Sequence, residues 1–191
     1  MSIPVITISR EYGSGGRAIG ERLAKELGIP FYDKELIFMA AKESGLSEEY
    51  IKKTEQMKST SFLYGLYMGA QQLPMNDQIF LVQSKIIRQV ASEGPCVIVG
   101  RCADYILRNV ADCLRVFIHA DFDKRAERIV EVYGETDVPT EKRLRDKDKR
   151  RAAYYQFYTD TKWGLAQNYH ISLDSGTIGI ERCVELLADL Y

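Results

Sequence analysis

Val5-Ile6-Thr7-Ile8-Ser9-Arg10-Glu11-Tyr12-Gly13-Ser14-Gly15-Gly16-Arg17-Ala18-Ile19-Gly20 is a β-branched apolar run that enters a glycine-rich loop and opens straight into a helix. That is the build of a phosphate-binding turn. Glycines at 13, 15 and 16 allow backbone conformations closed to residues with a Cβ, so successive N–H groups can converge on an anion at the positive end of a helix dipole. A helix is predicted over 16–27. Ile19, Leu23 and Leu27 share one face with Ala24 beside them, Glu21, Arg22, Lys25 and Glu26 point away, and Gly28 followed by Pro30 ends it. The loop departs from the G-x-x-x-x-G-K-[ST] phosphate-loop pattern. After Gly15 the chain has Gly16, Arg17 and Ala18, so the usual lysine and the hydroxyl that meets magnesium are both missing.

Working outward, apolar runs predict strands at Pro4–Ser9, Cys96–Val99, Leu114–His119 and Tyr169–Leu173, with a weaker one at Ile29–Tyr32. Helical patterns fill the intervals at about 34–44, 47–57, 76–92, 103–109, 122–133, 140–160 and 178–190. Strands alternating with helices specify an α/β fold whose parallel sheet is covered on both faces. In such sheets a ligand lies beyond the carboxyl ends of the strands, where Ser9-Arg10, Asp33, Gly100-Arg101, Ala120-Asp121 and Asp174 are expected to gather.

Length and composition narrow the class. The chain has 191 residues, 46% apolar and 28% charged, and a formal net charge of −1. This describes one ordinary globular domain without the basic excess of a general nucleic-acid binder, so any anion site is local. Neither a signal-peptide core nor an apolar run of membrane-spanning length occurs, and a cytoplasmic address with no membrane partner is expected. Cys96, Cys102, Cys113 and Cys183 are scattered singly, as core thiols are. Two segments stand out. Ser59–Asn76 carries no charge and is rich in aromatic and apolar residues, which suits a hairpin of helix ends packed on the domain, or else a substrate lobe or homodimer contact. Lys142–Arg151 holds seven Lys/Arg and two Asp ahead of Tyr154, Tyr155, Phe157, Tyr158 and Trp163; it reads as a solvated charged helix or as a cationic cover for an anion.

After the second long apolar strand, Gly100-Arg101-Cys102-Ala103-Asp104 delivers a guanidinium to the strand's carboxyl end. An arginine there suits a phosphate or carboxylate gripped by two parallel hydrogen bonds, or simply pairs with Asp104 or Glu93.

These motifs fall in an order shared with known enzymes. Ile6-Thr7-Ile8 and Gly13-Ser14-Gly15, then Gly100-Arg101, Val116-Phe117-Ile118-His119-Ala120 with Lys124-Arg125-Ala126-Glu127-Arg128, Asp146-Lys147-Asp148-Lys149-Arg150-Arg151 and Tyr169-His170-Ile171-Ser172-Leu173-Asp174 resemble, nearly end to end, the cytidylate kinase-like proteins of the P-loop nucleoside monophosphate kinase group. The resemblance implies a three-layer fold around a five-stranded parallel sheet, with a core of 1–32, 93–133 and 163–191, an acceptor-binding lobe at about 33–92 and a helical lid at about 134–162. It implies ATP as phosphoryl donor, Mg2+ as its metal, and a nucleoside monophosphate such as CMP, or another small acceptor.

Site roles follow from the same resemblance. Gly13, Ser14, Gly15 and Gly16 would wrap the donor phosphates. Arg17 would stand in for the missing lysine, or Arg10, at the place of the loop's first glycine, would reach a phosphate itself. Asp33, Arg101 and Asp104 would serve the acceptor, with Arg101 on its phosphate. Arg145, Lys149, Arg150 and Arg151 would close over the transferring group, because positioned cations supply most of the rate in that chemistry. Protein ligands for Mg2+ are not identifiable; Ser9, Ser14 and Asp104 are the candidates for an outer-shell site. His119 and His170 read as core or rim residues. A second reading is a nucleotide-sensing binding protein that kept the fold without catalysis.

Overall fold

A computed structural model of the chain describes residues 5–33, 39, 75–109 and 112–191. The apolar runs form five strands, β1 (Val5–Arg10), β2 (Phe31–Tyr32), β3 (Cys96–Val99), β4 (Cys113–His119) and β5 (Ile171–Asp174). All neighbouring pairs are parallel, and the order across the sheet is β2-β3-β1-β4-β5. Pleating sends successive side chains to opposite faces, which divides the core in two. Val5, Cys96 and Ile98 face one cluster with Ile86, Ile87, Ile106, Leu107 and Tyr155, whereas Ile6, Ile8, Val97, Val99 and Val116 face another with Ile19, Leu23, Val184 and Leu187.

The helices covering these faces are α1 (Gly16–Leu27), α2 (Met75–Glu93), α3 (Ala103–Ile106), α4 (Phe122–Tyr133), α5 (Thr140–Thr159), α6 (Ser175–Ile178) and α7 (Ile180–Ala188), with a 3-10 turn at Ala166–Asn168. Helix α1 has the predicted bounds and buries Ile19, Leu23 and Ala24. The expected helix at 178–190 is two elements. Asp174 accepts hydrogen bonds from the N–H groups of Gly176 and Thr177 and so starts a helix at Ser175, and Gly179, in the left-handed region, separates it from α7. The last strand starts at Ile171 rather than Tyr169, because the 3-10 turn ends in a Tyr169 N–H to Ala166 O bond. All four cysteines are buried thiols. Among the described residues no helix is long and apolar enough to cross a membrane. The helices expected at 34–44 and 47–57, most of the lobe at 33–92 and nearly all of the uncharged segment 59–76 lie outside the described residues.

Helix α5, the expected lid helix, is fastened along one stripe. Leu144, Tyr155 and Thr159 are buried, and the Tyr158 ring stacks on Phe80 with centroids 4.0 Å apart. Tyr155 inserts its hydroxyl between helix and sheet and donates to Asp104 Oδ2 at 2.7 Å, while Ser9 Oγ donates to Asp104 Oδ1 at 3.2 Å. Asp104 is only 2% exposed, and burial raises its pKa above the ordinary aspartate range against the pull of these two donors. A hydrogen bond to a buried carboxylate contributes about 2 kcal/mol, so Tyr155→Phe is expected to lose that amount in urea unfolding. The raised pKa means that the folded chain binds this proton more tightly than the unfolded chain. Its contribution to stability is complete below the unfolded-state pKa and is lost as pH rises through the folded-state value. Asp104→Asn is expected to remove that decline from the stability–pH curve.

Candidate functional site

Five residues carry the chain from the end of β1 to the start of α1. Gly13 (φ 81°) and Gly15 (φ 78°) adopt left-handed backbone, and a Cβ at Gly13 would meet Arg125 O at 2.8 Å. The surrounding protein binds the loop through its carbonyls. Arg10 O accepts from Arg151 Nη1 at 3.0 Å, Glu11 O from Ser14 Oγ at 2.9 Å, and Tyr12 O from Arg125 Nη1 at 3.3 Å. Gly13 O accepts from Arg128 Nη1 at 2.8 Å and Ser14 O from Ser175 Oγ at 2.5 Å. Five successive carbonyls are committed in this way. Ser14 N–H is spent on Glu11 O at 3.3 Å, but among the described residues no acceptor meets the N–H groups of Gly13, Gly15, Gly16 or Arg17. Those four donors at the N-terminus of a twelve-residue helix form a nest for an anion.

Three guanidiniums stand beside this nest. Burial, reinforced by repulsion from Arg151 and Arg101, pulls Arg10 down to about 9, with Asp33 opposing the shift. Arg10 remains a cation at neutral pH. Burial likewise lowers Arg151, countered mainly by Asp148. Arg101 reaches the same region from a strained turn. Gly100 (φ 80°), Arg101 (φ 59°) and Cys102 (φ 55°) are all left-handed, held by Gly100 N–H to Ile8 O and Ala103 N–H to Gly100 O, both 3.0 Å. Left-handed backbone costs about 1–3 kcal/mol at a residue with a side chain, and such strain persists where the surroundings over-determine it.

The expected site residues divide between this cluster and other places. Arg10, Gly13, Ser14, Gly15, Gly16, Arg101 and Arg151 come together. Arg17 turns instead to the end of β2, where its Nε donates to Asp33 Oδ2 at 2.8 Å and its Nη1 pairs with Glu21 at 3.3 Å. The hydrogen bond to Asp33 raises its pKa. Helical spacing separates the basic residues of α5. Leu144, Asp148, Arg151 and Tyr155 form the inward stripe, whereas Arg145 lies over the Phe122 ring at 5.3 Å and Lys149 is exposed. Asp104 is sealed under Tyr155 and Ser9, away from any acceptor that stays in solvent reach. The hydroxyls considered for magnesium are engaged too, Ser9 with Asp104 and Ser14 with Glu11 O. Among the described residues no three His, Cys, Asp or Glu side chains group as a metal site.

Residues that sequence reading passed over hold the loop in place. Arg125, 8% exposed, lies 2.5 Å from Asp148 Oδ2 and 3.4 Å from Glu11 Oε2. Asp148 Oδ1 in turn accepts from the Tyr12 N–H at 2.7 Å, and Glu11 Oε2 accepts from the Ala120 N–H at 3.2 Å. The available signals were the spacing of Arg125 and Arg128 on one face of α4 and the acids Asp146 and Asp148 inside the basic run of α5.

Comparison with known proteins agrees with this architecture. The cytidylate kinase-like family matches residues 5–177. Among solved structures, an uncharacterized protein from Eubacterium ventriosum is 26% identical, with a TM-score of 0.73 over 97% of this chain and 96% of that one. Shikimate kinase from Acinetobacter baumannii, solved with shikimate, is 14% identical with a TM-score of 0.54, covering 98% and 92% of the two chains. A gluconokinase from Sinorhizobium meliloti is 16% identical with a TM-score of 0.53, covering 100% and 97%. Among curated proteins none matches the sequence significantly. The last two structures share the fold, and the family match spans the glycine loop, the Gly100-Arg101 turn and α5: this chain belongs to the cytidylate kinase-like family.

Proposed function

We propose that the protein is a nucleotide-binding phosphotransferase that takes ATP as donor and passes its terminal phosphoryl group to a small acceptor, a nucleoside monophosphate such as CMP being the first candidate. The observation that carries the reading is the loop itself, four N–H donors that meet no acceptor among the described residues, with Arg10, Arg101 and Arg151 nearby. A triphosphate chain is the ligand whose charge and shape such a site matches, and phosphoryl transfer depends on placing cations around oxygens that share developing charge. In this reading Gly13, Gly15 and Gly16 wrap the donor phosphates, Arg101 takes the acceptor's anion, and Arg151 spans the two. Asp33 orients Arg17 and Arg10 at the acceptor edge. The segment 33–92 serves as acceptor lobe and 134–162 as lid. Mg2+, where used, rests chiefly on the nucleotide's phosphates and water, as that ion commonly does.

The engaged Ser9 and Ser14 hydroxyls and the missing loop lysine favour a second reading, a nucleotide-sensing protein that binds without turnover. A coupled assay with ATP and Mg2+ separates the two. The acceptor panel spans the nucleoside monophosphates, with shikimate and gluconate added because kinases named for those acceptors share the fold. Turnover of any acceptor establishes the enzyme. ATP binding by calorimetry with no turnover across the panel establishes the sensor, and absence of ATP binding overturns both.

Arg101→Ala is expected to weaken acceptor use by about 2–5 kcal/mol, the loss typical of a buried, charge-paired contact, and lysine to restore it only in part because it lacks the bidentate fork. Arg101→Gly is expected to impair the acceptor equally while holding thermal stability within about 1 kcal/mol of the parent, since glycine relieves the left-handed strain. A large loss of stability in that variant would mark Arg101 as structural. Hydrogen exchange reports on the lid: protection is expected to rise over 134–151 when ATP and acceptor are both present. The half anchored by Tyr155 and Tyr158 is expected to change little.

A further inference from the structure

In the G-x-x-x-x-G-K-[ST] pattern the first position carries no side chain and the residue after the second glycine supplies the cation. Laid on this chain, the first position is Arg10 and the lysine position is Gly16, so side chain and vacancy have changed places. The two are alternatives for one volume. A Cβ built on Gly16 would lie 2.5 Å from Arg10 Cβ and 3.0 Å from Arg10 Cγ, the stem of the side chain rather than its movable end. No residue with a Cβ fits at 16 while Arg10 is in place.

From there the arginine continues over the turn after β3, where a Cβ on Gly100 would collide with its Nη1, and its Nη2 comes within 3.8 Å of Asp33 Oδ1. Two glycines thus clear a path for one guanidinium, and Arg151 fixes the strand end beneath it through Arg10 O. The rival cation, Arg17, is engaged with Asp33 at 2.8 Å.

Resting on the phosphate-site reading above, we infer that Arg10 is the loop's phosphate-contacting cation, delivered from the end of β1 instead of the start of α1, and that Gly16 is the vacancy its stem requires. The two positions form a reciprocal pair. A bidentate guanidinium replaces a point-charge ammonium, which suits two oxygens of one phosphoryl group.

The test titrates the full chain with inorganic tripolyphosphate and with ATP in the presence of Mg2+, by calorimetry, with thermal unfolding recorded for each variant. Arg10→Met keeps the buried stem and removes the charge; it is expected to fold as the parent and to weaken tripolyphosphate binding by on the order of tenfold or more. Arg10→Lys is expected to retain most of the binding. Gly16→Lys alone is expected to lose both stability and binding, because its Cβ displaces Arg10. The double variant Arg10→Gly, Gly16→Lys is expected to recover both to well above the Gly16→Lys single, a coupling that two independent positions would not show. Tripolyphosphate binding by Arg10→Met equal to that of the parent overturns the assignment. A double variant no better than Gly16→Lys overturns the exchange. A folded parent that binds neither probe overturns the phosphate-site reading and this inference with it.

Discussion

The buried guanidinium of Arg125 is the contact on which the arrangement of the site depends. It sits between Glu11 of the loop and Asp148 of α5, and it donates to the carbonyl of Tyr12. Ion pairs of this kind are poor sources of net stability, because desolvation consumes much of the Coulombic gain, yet breaking one by removing a partner costs about 3–5 kcal/mol. The consequence is geometric more than energetic. An arginine offers planar donors in fixed directions, so one side chain can hold a loop carbonyl and a carboxylate from another helix at a defined separation. Asp148 then accepts from the Tyr12 N–H at 2.7 Å, and the loop and α5 are positioned by the same hub.

That hub explains how a loop without its motif lysine and hydroxyl still has the shape of an anion nest. Backbone N–H groups point where the carbonyls allow. Here Arg151, Arg125, Arg128 and Ser175 draw the carbonyls of Arg10, Tyr12, Gly13 and Ser14 toward the protein. The charge distribution follows the same logic. Burial and then Arg151 and Arg101 lower the proton affinity of Arg10, burial and to a smaller extent Arg101 lower that of Arg151, and Lys147 is depressed by burial and by Arg150, Arg151 and Arg143. Crowded, partly desolvated cations are unfavourable by themselves and gain most from an arriving anion, so the repulsion adds to the site's preference for a highly charged ligand.

Much of this was legible in the sequence, for identifiable reasons. Parallel strands buried on both faces read as continuous apolar runs, which is why Cys96–Val99 was located to the residue and why α1, with its clean stripe of Ile19, Leu23 and Leu27, has its expected bounds. The split between α6 and α7 was hidden because Asp174, read as the end of a strand, also caps a new helix. The gathering of Arg10, Arg101 and Arg151 at the strands' carboxyl ends follows from topology. The division of labour inside the basic run does not. It depends on the rotational setting of α5, which Leu144, Tyr155 and Thr159 fix by burying themselves, and this carries Asp148 and Arg151 inward while Lys149 stays exposed. Arg17 illustrates the same limit. Its place after the loop suggested a phosphate cation, and a carboxylate at the end of β2, sixteen residues away in sequence, took it instead.

Sequence patterns for phosphate loops name side chains, whereas most of the donors in such a loop are backbone. A pattern therefore registers the replacement of its lysine as a loss even where the nest survives, and the question that matters is whether a cation still arrives. In the proposed reading it arrives from β1. Strand geometry sets the direction of Arg10 more tightly than a loop would, since its N–H and C=O neighbours are held in register against Ile118 of β4. A guanidinium carried by the end of a central strand is held by the core and not by the loop, so in the proposed reading a phosphate is met by the rigid part of the molecule. Arg151 of α5 touches that same strand end through Arg10 O. The setting of α5 and the placement of the Arg10 side chain are coupled through that bond, and a substitution that displaces Arg151 is expected to loosen the strand end that presents Arg10.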